Sequence, residues 1–151
     1  MKNLFTPEDR EEIVRRIQSL KPINNRNWGK LTIHQILPHL ADPIRCSMGE
    51  KQAMSIDNPV LKSFFGKWML RYIPWPKGAA TSSEFLPGTG MTEPTDFITD
   101  KQTLLLLIHR IANHSENHPF KAHPVFGPLS RKDVGRLYWR HLDHHLRQFS
   151  A

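Results

Sequence analysis

The stretch Ser130-Arg131-Lys132-Asp133-Val134-Gly135-Arg136-Leu137-Tyr138-Trp139-Arg140-His141-Leu142-Asp143-His144-His145-Leu146-Arg147-Gln148-Phe149 decides the fold class. At about 100° per residue, Val134, Leu137, Tyr138, Leu142 and Phe149 fall on one arc, with Lys132, Arg136, Arg140, Asp143 and Arg147 opposite. Ser130 offers an N-cap hydroxyl and Asp133, three residues on, an acidic capping partner. The pattern predicts an amphipathic helix running almost to the C-terminus. His141 and His145 lie in the middle of its apolar arc, one turn apart on one face, and His144 lies at the edge. Imidazoles buried among aliphatic side chains cost free energy unless each finds a partner, and one shared cation satisfies both. Two core histidines hydrogen-bonded to side chains or water are the alternative.

Working back along the chain, further helices are predicted. Thr6 caps the first, Pro7 opens it, and Ile13, Val14, Ile17 and Leu20 form its apolar stripe before Pro22. A second begins after Trp28 and carries Ile33, Leu37, Leu40 and Ile44, with a kink expected at Pro38 and Pro43. Residues 58–73 read as a shorter amphipathic helix with Phe64, Phe65, Trp68, Met69 and Tyr72 on one face, opposite Lys62, Lys67 and Arg71. Residues 74–97 are rich in proline and glycine and read as a long irregular crossover. Asp100 is the expected cap of a third long helix through Leu104, Leu105, Ile108 and Ile111. With little strand signal and no internal repeat, the expected fold is all-α. It is a four-helix bundle with a long crossover and an extra short helix, a single domain over residues 1–151.

Composition narrows the function. A chain of 151 residues, 38% of them hydrophobic, can bury one core without staples. The single cysteine, Cys46, excludes an internal disulfide and a cysteine-based zinc site, and it suits a reducing compartment. The longest aliphatic run, Leu104 to Ile108, is far too short to span a bilayer, and the N-terminus lacks a secretory pattern, so a cytoplasmic location is expected. A net charge of +7 raises anionic partners, yet no block of like charge appears, which weighs against dedicated nucleic-acid binding.

A metal held by protein and left open to a further ligand needs a third group from another element. His34 and His39 flank the apolar face of the second helix, while His109 and His114 belong to the third, and helical phase alone does not choose among them. Taken together, Trp28-Gly29-Lys30-Leu31-Thr32, Gln35, Pro38-His39-Leu40-Ala41-Asp42, His123-Pro124-Val125-Phe126-Gly127-Pro128-Leu129-Ser130 and His141-Leu142-Asp143-His144-His145-Leu146-Arg147-Gln148-Phe149 resemble the DinB-like superfamily, over most of the chain. The resemblance implies a four-helix bundle whose divalent metal is bound by a histidine of the second helix and the HxxxH pair of the last. Those positions match His39, His141 and His145, with His34 or His144 as the substitutes to test. The chain departs from the family pattern in Pro38 and Pro43, on either side of His39.

Three imidazoles favour zinc, nickel, iron or copper over magnesium or calcium. Relatives in the superfamily include transferases and isomerases that use low-molecular-weight thiols. The resemblance therefore implies an enzyme in which the metal activates a thiol, or else water, for attack on a small electrophile. Asp42, one turn beyond His39, is a candidate acceptor for its ring, and Tyr138, one turn before His141, a candidate donor to substrate. Phe65 and Trp68 are expected to join Tyr138 in an apolar substrate pocket, the short helix capping the bundle near the metal. Contact with a second copy of the chain or with an anionic membrane is the alternative use of those aromatics. The competing functional class is non-enzymatic: a metal-stapled bundle binding nucleic acid through Arg131, Lys132, Arg136, Arg140 and Arg147.

Overall fold

In the computed structural model, which describes residues 1–55, 58–73, 75–77 and 85–151, the buried aliphatic stripes of the long helices meet in one core. Those helices are α1 (Pro7–Ser19), α2 (Ile33–Met48), α5 (Phe97–Ala112) and α6 (Arg131–Gln148), and between the second and third of them lie the short α3 (Pro59–Lys62) and α4 (Phe64–Tyr72). Among the described residues there is no strand, only an isolated bridge between His123 and Gly127. The all-α bundle expected from periodicity is what the chain forms. Ile13 and Ile17 of α1, Leu37 and Ile44 of α2, Leu104 and Ile108 of α5, and Leu142 of α6 are at most 1% exposed. Of the crossover predicted over 74–97, residues 74 and 78–84 lie outside the described residues.

Thr6 stands at the N-cap of α1 ahead of Pro7 but its side chain makes no capping bond, whereas other helix starts follow side-chain caps. Thr32 and Gln35 form a reciprocal capping box on α2, and the helix runs on unbroken through Pro38 and Pro43 to the left-handed Gly49. Ser130 accepts from the amide of Asp133 at the start of α6. The predicted start of α5 is corrected. Asp96, not Asp100, is the N-cap and accepts from the amides of Ile98 and Thr99, whereas Asp100 accepts from the Thr95 amide and hydroxyl at 2.8 Å each. Residues 58–73 do not form one helix either. Extended Ser63 ends α3 and caps α4, and the backbone of Leu61 folds against Gly66 so closely that a Cβ there would meet the Leu61 carbonyl oxygen at 1.9 Å.

Two arginines fix α4 to α6. Arg71 makes a bidentate pair with Asp133 at 2.8 and 2.7 Å, and Arg140 donates to the carbonyls of Leu70 and Ile73. This anchoring sets the phase of α4: buried Gly66 and Leu70 face inward, while Phe64, Phe65, Trp68 and Tyr72 face out.

The N-terminal segment docks on α6 where that helix is bare. The Leu4 amide donates to the Gly135 carbonyl at 3.0 Å, and a Cβ at Gly135 would lie 2.0 Å from Asn3 Oδ1. That oxygen is held by the Phe5 amide, while Asn3 Nδ2 donates to the Lys132 carbonyl. Gly135→Ala is therefore expected to destabilise the protein by about 1–3 kcal/mol despite alanine's better helix propensity. A thermal midpoint equal to or above wild type would contradict this close packing.

Candidate metal centre

α2 and α6 bring three imidazoles together. His39 of α2 places its Nε2 3.0 Å from Nε2 of His145 and 3.2 Å from Nε2 of His141. One ligating nitrogen from each lies within 4.8 Å of the others, with His39 and His145 buried and His141 partly so. Two nitrogens bound at 2.0–2.1 Å with a tetrahedral angle lie about 3.3 Å apart, so the spacing suits a common small cation.

The far sides of the rings fix what the near sides offer. His39 Nδ1 lies 2.9 Å from the Phe85 carbonyl, which only accepts, so Nδ1 carries the proton and Nε2 a bare lone pair. His145 Nδ1 likewise faces Gln148 Oε1 at 2.9 Å. Two lone pairs thus point at each other across 3.0 Å, an arrangement that repels unless something positive lies between them. A proton is disfavoured there. Burial and the neighbouring imidazoles hold His141 well below its ordinary value and bring His145 down to about 3, and burial lowers His39 as well. Three neutral imidazoles, two of them with rings oriented by their Nδ1 partners, are a donor set that can hold a metal ion.

The support for His145 reaches back to the loop before α2. Gly29, at φ +90°, leaves room for the Gln148 amide, since a Cβ there would meet Gln148 Nε2 at 2.6 Å. The Asn27 amide also donates to the Gln148 carbonyl at 2.7 Å. Gln148 lies three residues after His145 on the same face, a spacing from which its role is readable in hindsight. The Phe85 carbonyl, being backbone, carries no signature in the sequence.

The triad borders a cavity of about 590 Å³. Its wall includes Leu61, Met69 and Leu70 from the short helices, Ile73 just after α4, Phe85 and Leu86 from the crossover, and Val125 and Phe126 from the loop before α6. Trp75 sits at its edge, its ring 5.7 Å from that of His141. Cys46 and Ser47 also line it.

Other candidates stand elsewhere. Phe65 and Trp68 do not line the cavity: they stack on each other on the outer face of α4, 53% and 41% exposed, because the Arg71 and Arg140 anchors turn Leu70 and Met69 inward. Asp42 neither faces solvent nor holds His39. It is fully buried, accepts from Lys51 at 2.6 Å, from the Thr92 amide at 2.8 Å and hydroxyl at 2.7 Å, and pairs with Arg45, fastening α2 to the end of the crossover. Tyr138 lines the cavity but its hydroxyl donates to the Pro43 carbonyl at 2.7 Å and meets Ser47 Oγ, so it is committed to α2 rather than offered to a substrate. His34 packs edge-on against Phe97, and His144 against Trp28, its ring 5.2 Å from that of His145. Neither belongs to the cluster.

Many of the arginines of α6 are engaged within the bundle. Arg131 donates to the carbonyls of Ser115 and Ala112, Arg136 lies 3.8 Å from Asp133, and Arg147 pairs with Asp143 at 3.0 Å. Among the described residues no helix is long and apolar enough to cross a membrane. Comparison with curated proteins and with solved structures returns no match. A family model does match, from residue 2 to residue 151, and by that match the chain belongs to the family described as "Protein of unknown function (DUF1569)".

Proposed function

We propose that residues 1–151 act as one DinB-like bundle domain, that His39, His141 and His145 hold a divalent transition metal, zinc, nickel or iron, and that the protein is an enzyme acting on a small apolar electrophile. The observation that supports this reading best is the meeting of the unprotonated Nε2 lone pairs of His39 and His145, with His141 Nε2 beside them, at the wall of an apolar cavity. A divalent cation held there supplies Lewis acidity, lowering the pKa of a thiol or water bound beside it toward neutrality. The residues of the chain do the rest. Phe85 and Gln148 orient the rings, burial keeps the imidazoles neutral and available, and the aliphatic and aromatic wall binds the apolar part of a substrate while excluding bulk water. A low-molecular-weight thiol is the favoured attacker, in line with the DinB-like resemblance. Arg131 and Arg140, two of the basic residues behind the nucleic-acid reading, donate to carbonyls within the bundle, which weighs against it.

Metal analysis of the purified protein tests the proposal: about one divalent transition metal per chain is expected, removable by chelator and restored by zinc. Failure to bind zinc, nickel or iron after chelation would overturn it. Gln148→Ala is expected to weaken metal affinity about 10–100-fold while leaving the stoichiometry at saturation unchanged, the usual effect of removing a group that orients a ligand. Competition against a fluorescent zinc chelator measures it, and an unchanged affinity would mean that the amide does not position His145.

A further inference from the structure

The loop before α6 presents one more histidine to the cavity. His123 forms an isolated bridge with Gly127, each amide donating to the other's carbonyl at 2.9 and 2.8 Å. Inside this tight turn His123 Nδ1 accepts from the amides of Val125 at 3.1 Å and Phe126 at 3.3 Å. An amide only donates, so Nδ1 is unprotonated in the neutral ring and the proton sits on Nε2, the reverse of the tautomer at His39 and His145. Burial lowers the pKa of His123 to about 4, which keeps the ring neutral and the tautomer single near pH 7. His123 lines the cavity that the triad also borders, and among the described residues nothing accepts from its Nε2–H.

Resting on the reading of this cavity as a ligand pocket, we propose that His123 Nε2–H is its fixed hydrogen-bond donor and selects small apolar ligands that carry a neutral acceptor oxygen, such as a ketone, ester or ether. The wall around it explains the preference. Among the residues that line the same cavity, Val125 and Phe126 on the same loop and Leu61 and Met69 on the short helices are hydrocarbon or thioether and offer the ligand body no polar partner. A hydrocarbon ligand that displaces solvent from this donor leaves it unpaired, which costs free energy, and a ligand oxygen removes that cost. The backbone amides that hold Nδ1 prevent the ring from turning its acceptor inward, so a ligand that donates gains nothing there. His123 is thus a specificity-determining residue rather than a fourth metal ligand, since its free nitrogen carries a proton.

The test compares 1-acetylnaphthalene with 1-ethylnaphthalene, similar in shape but differing in the acceptor, by equilibrium binding to the protein as purified and again after chelation. His123→Asn retains an acceptor oxygen for the Val125 and Phe126 amides and withdraws the donor from the Nε2 position, its own N–H groups sitting on the shorter Nδ2. It should weaken the ketone about 3- to 10-fold, the worth of one neutral hydrogen bond, and leave the hydrocarbon unchanged. Equal loss for both, or loss for neither, would overturn the proposal. Nitrogen-15 NMR of the wild-type imidazole needs no variant: the expected signature is an Nε2–H tautomer whose proton shifts on adding the ketone, and an Nδ1–H tautomer or an unmoved proton would overturn the proposal as well. Because the ketone effect is read with and without metal, and metal content is measured separately, failure of the metal proposal and failure of this one give different results.

Discussion

Replacing His145 by alanine is expected to abolish stoichiometric metal binding. Structural zinc sites contribute roughly 10–16 kcal/mol, and shared among three or four ligands this assigns about 3–4 kcal/mol to each, a loss on the order of 10²–10³-fold in affinity. The rigidity of the site argues for the upper end, since His39 and His141 are held by α2 and α6 and have no freedom to recruit a replacement. His144, whose ring lies 5.2 Å from that of His145, farther than those of the two other members of the triad, is packed against Trp28. A second readout distinguishes a ligand from an ordinary core histidine. In the wild type, chelation should lower the thermal midpoint, because it leaves lone pairs opposed across 3.0 Å. In His145→Ala the difference between chelated and untreated samples should vanish. His34→Ala and His144→Ala should both keep full metal occupancy. Full occupancy in His145→Ala would sink the assignment.

Acid should destabilise the metal-free protein steeply. The unfolded chain takes up a proton on each histidine near pH 6.5, whereas folding holds His145 down to about 3, His123 to about 4, and His39 and His141 below their ordinary value. Below pH 6.5 the unfolded state therefore binds more protons than the folded state, and stability falls as the pH falls. Each imidazole kept neutral contributes about 1.4 kcal/mol per pH unit, so two or three of them cost about 3–4 kcal/mol between pH 6 and pH 5. The loss continues until the folded-state values are reached. With metal bound the ligands cannot protonate without releasing it, so acid acts through metal release and the two curves converge at low pH. Chemical denaturation of chelated protein at pH 7, 6 and 5 measures the slope, and a flat profile would mean that the imidazoles are charged or solvated in the fold.

The helical class and a cap such as Ser130 are legible in the sequence because they depend on local chemistry, whereas Asp96 and Asp100 both stand near the start of α5 and residue type alone does not choose between them. Ser130 and Thr32 lie within three residues of the amides they cap, and the stripe from Val134 to Phe149 needs only the helical period. The outer arrangement of α4 was not legible for a related reason. Two stripes compete in that helix, Phe65, Trp68 and Tyr72 against Gly66, Met69 and Leu70, and burying the larger aromatics is the ordinary preference. Asp133 and Arg140, more than sixty residues away, decide otherwise by holding Arg71 and the carbonyls of Leu70 and Ile73. Asp42 shows the same limit: its spacing from His39 suggested a contact along the helix, but Lys51 and Thr92 reach it first. The meeting of His39 with His141 and His145 rested on resemblance, since the helical phase of α2 offered His34 equally.

The bare backbone of Gly29 against the side chain of Gln148 has a bearing on how such chains can diverge. The two positions are separated by more than a hundred residues, and one of them, in an exposed loop, looks free to vary. Yet any side chain at 29 would displace the amide that steadies His145. Substitution there is tolerable only alongside a shorter residue at 148, or with a different acceptor for the ring. Among homologous chains the two columns should change together, and a non-glycine at 29 facing a retained glutamine should mark a lineage in which the imidazole cluster has lost its purpose.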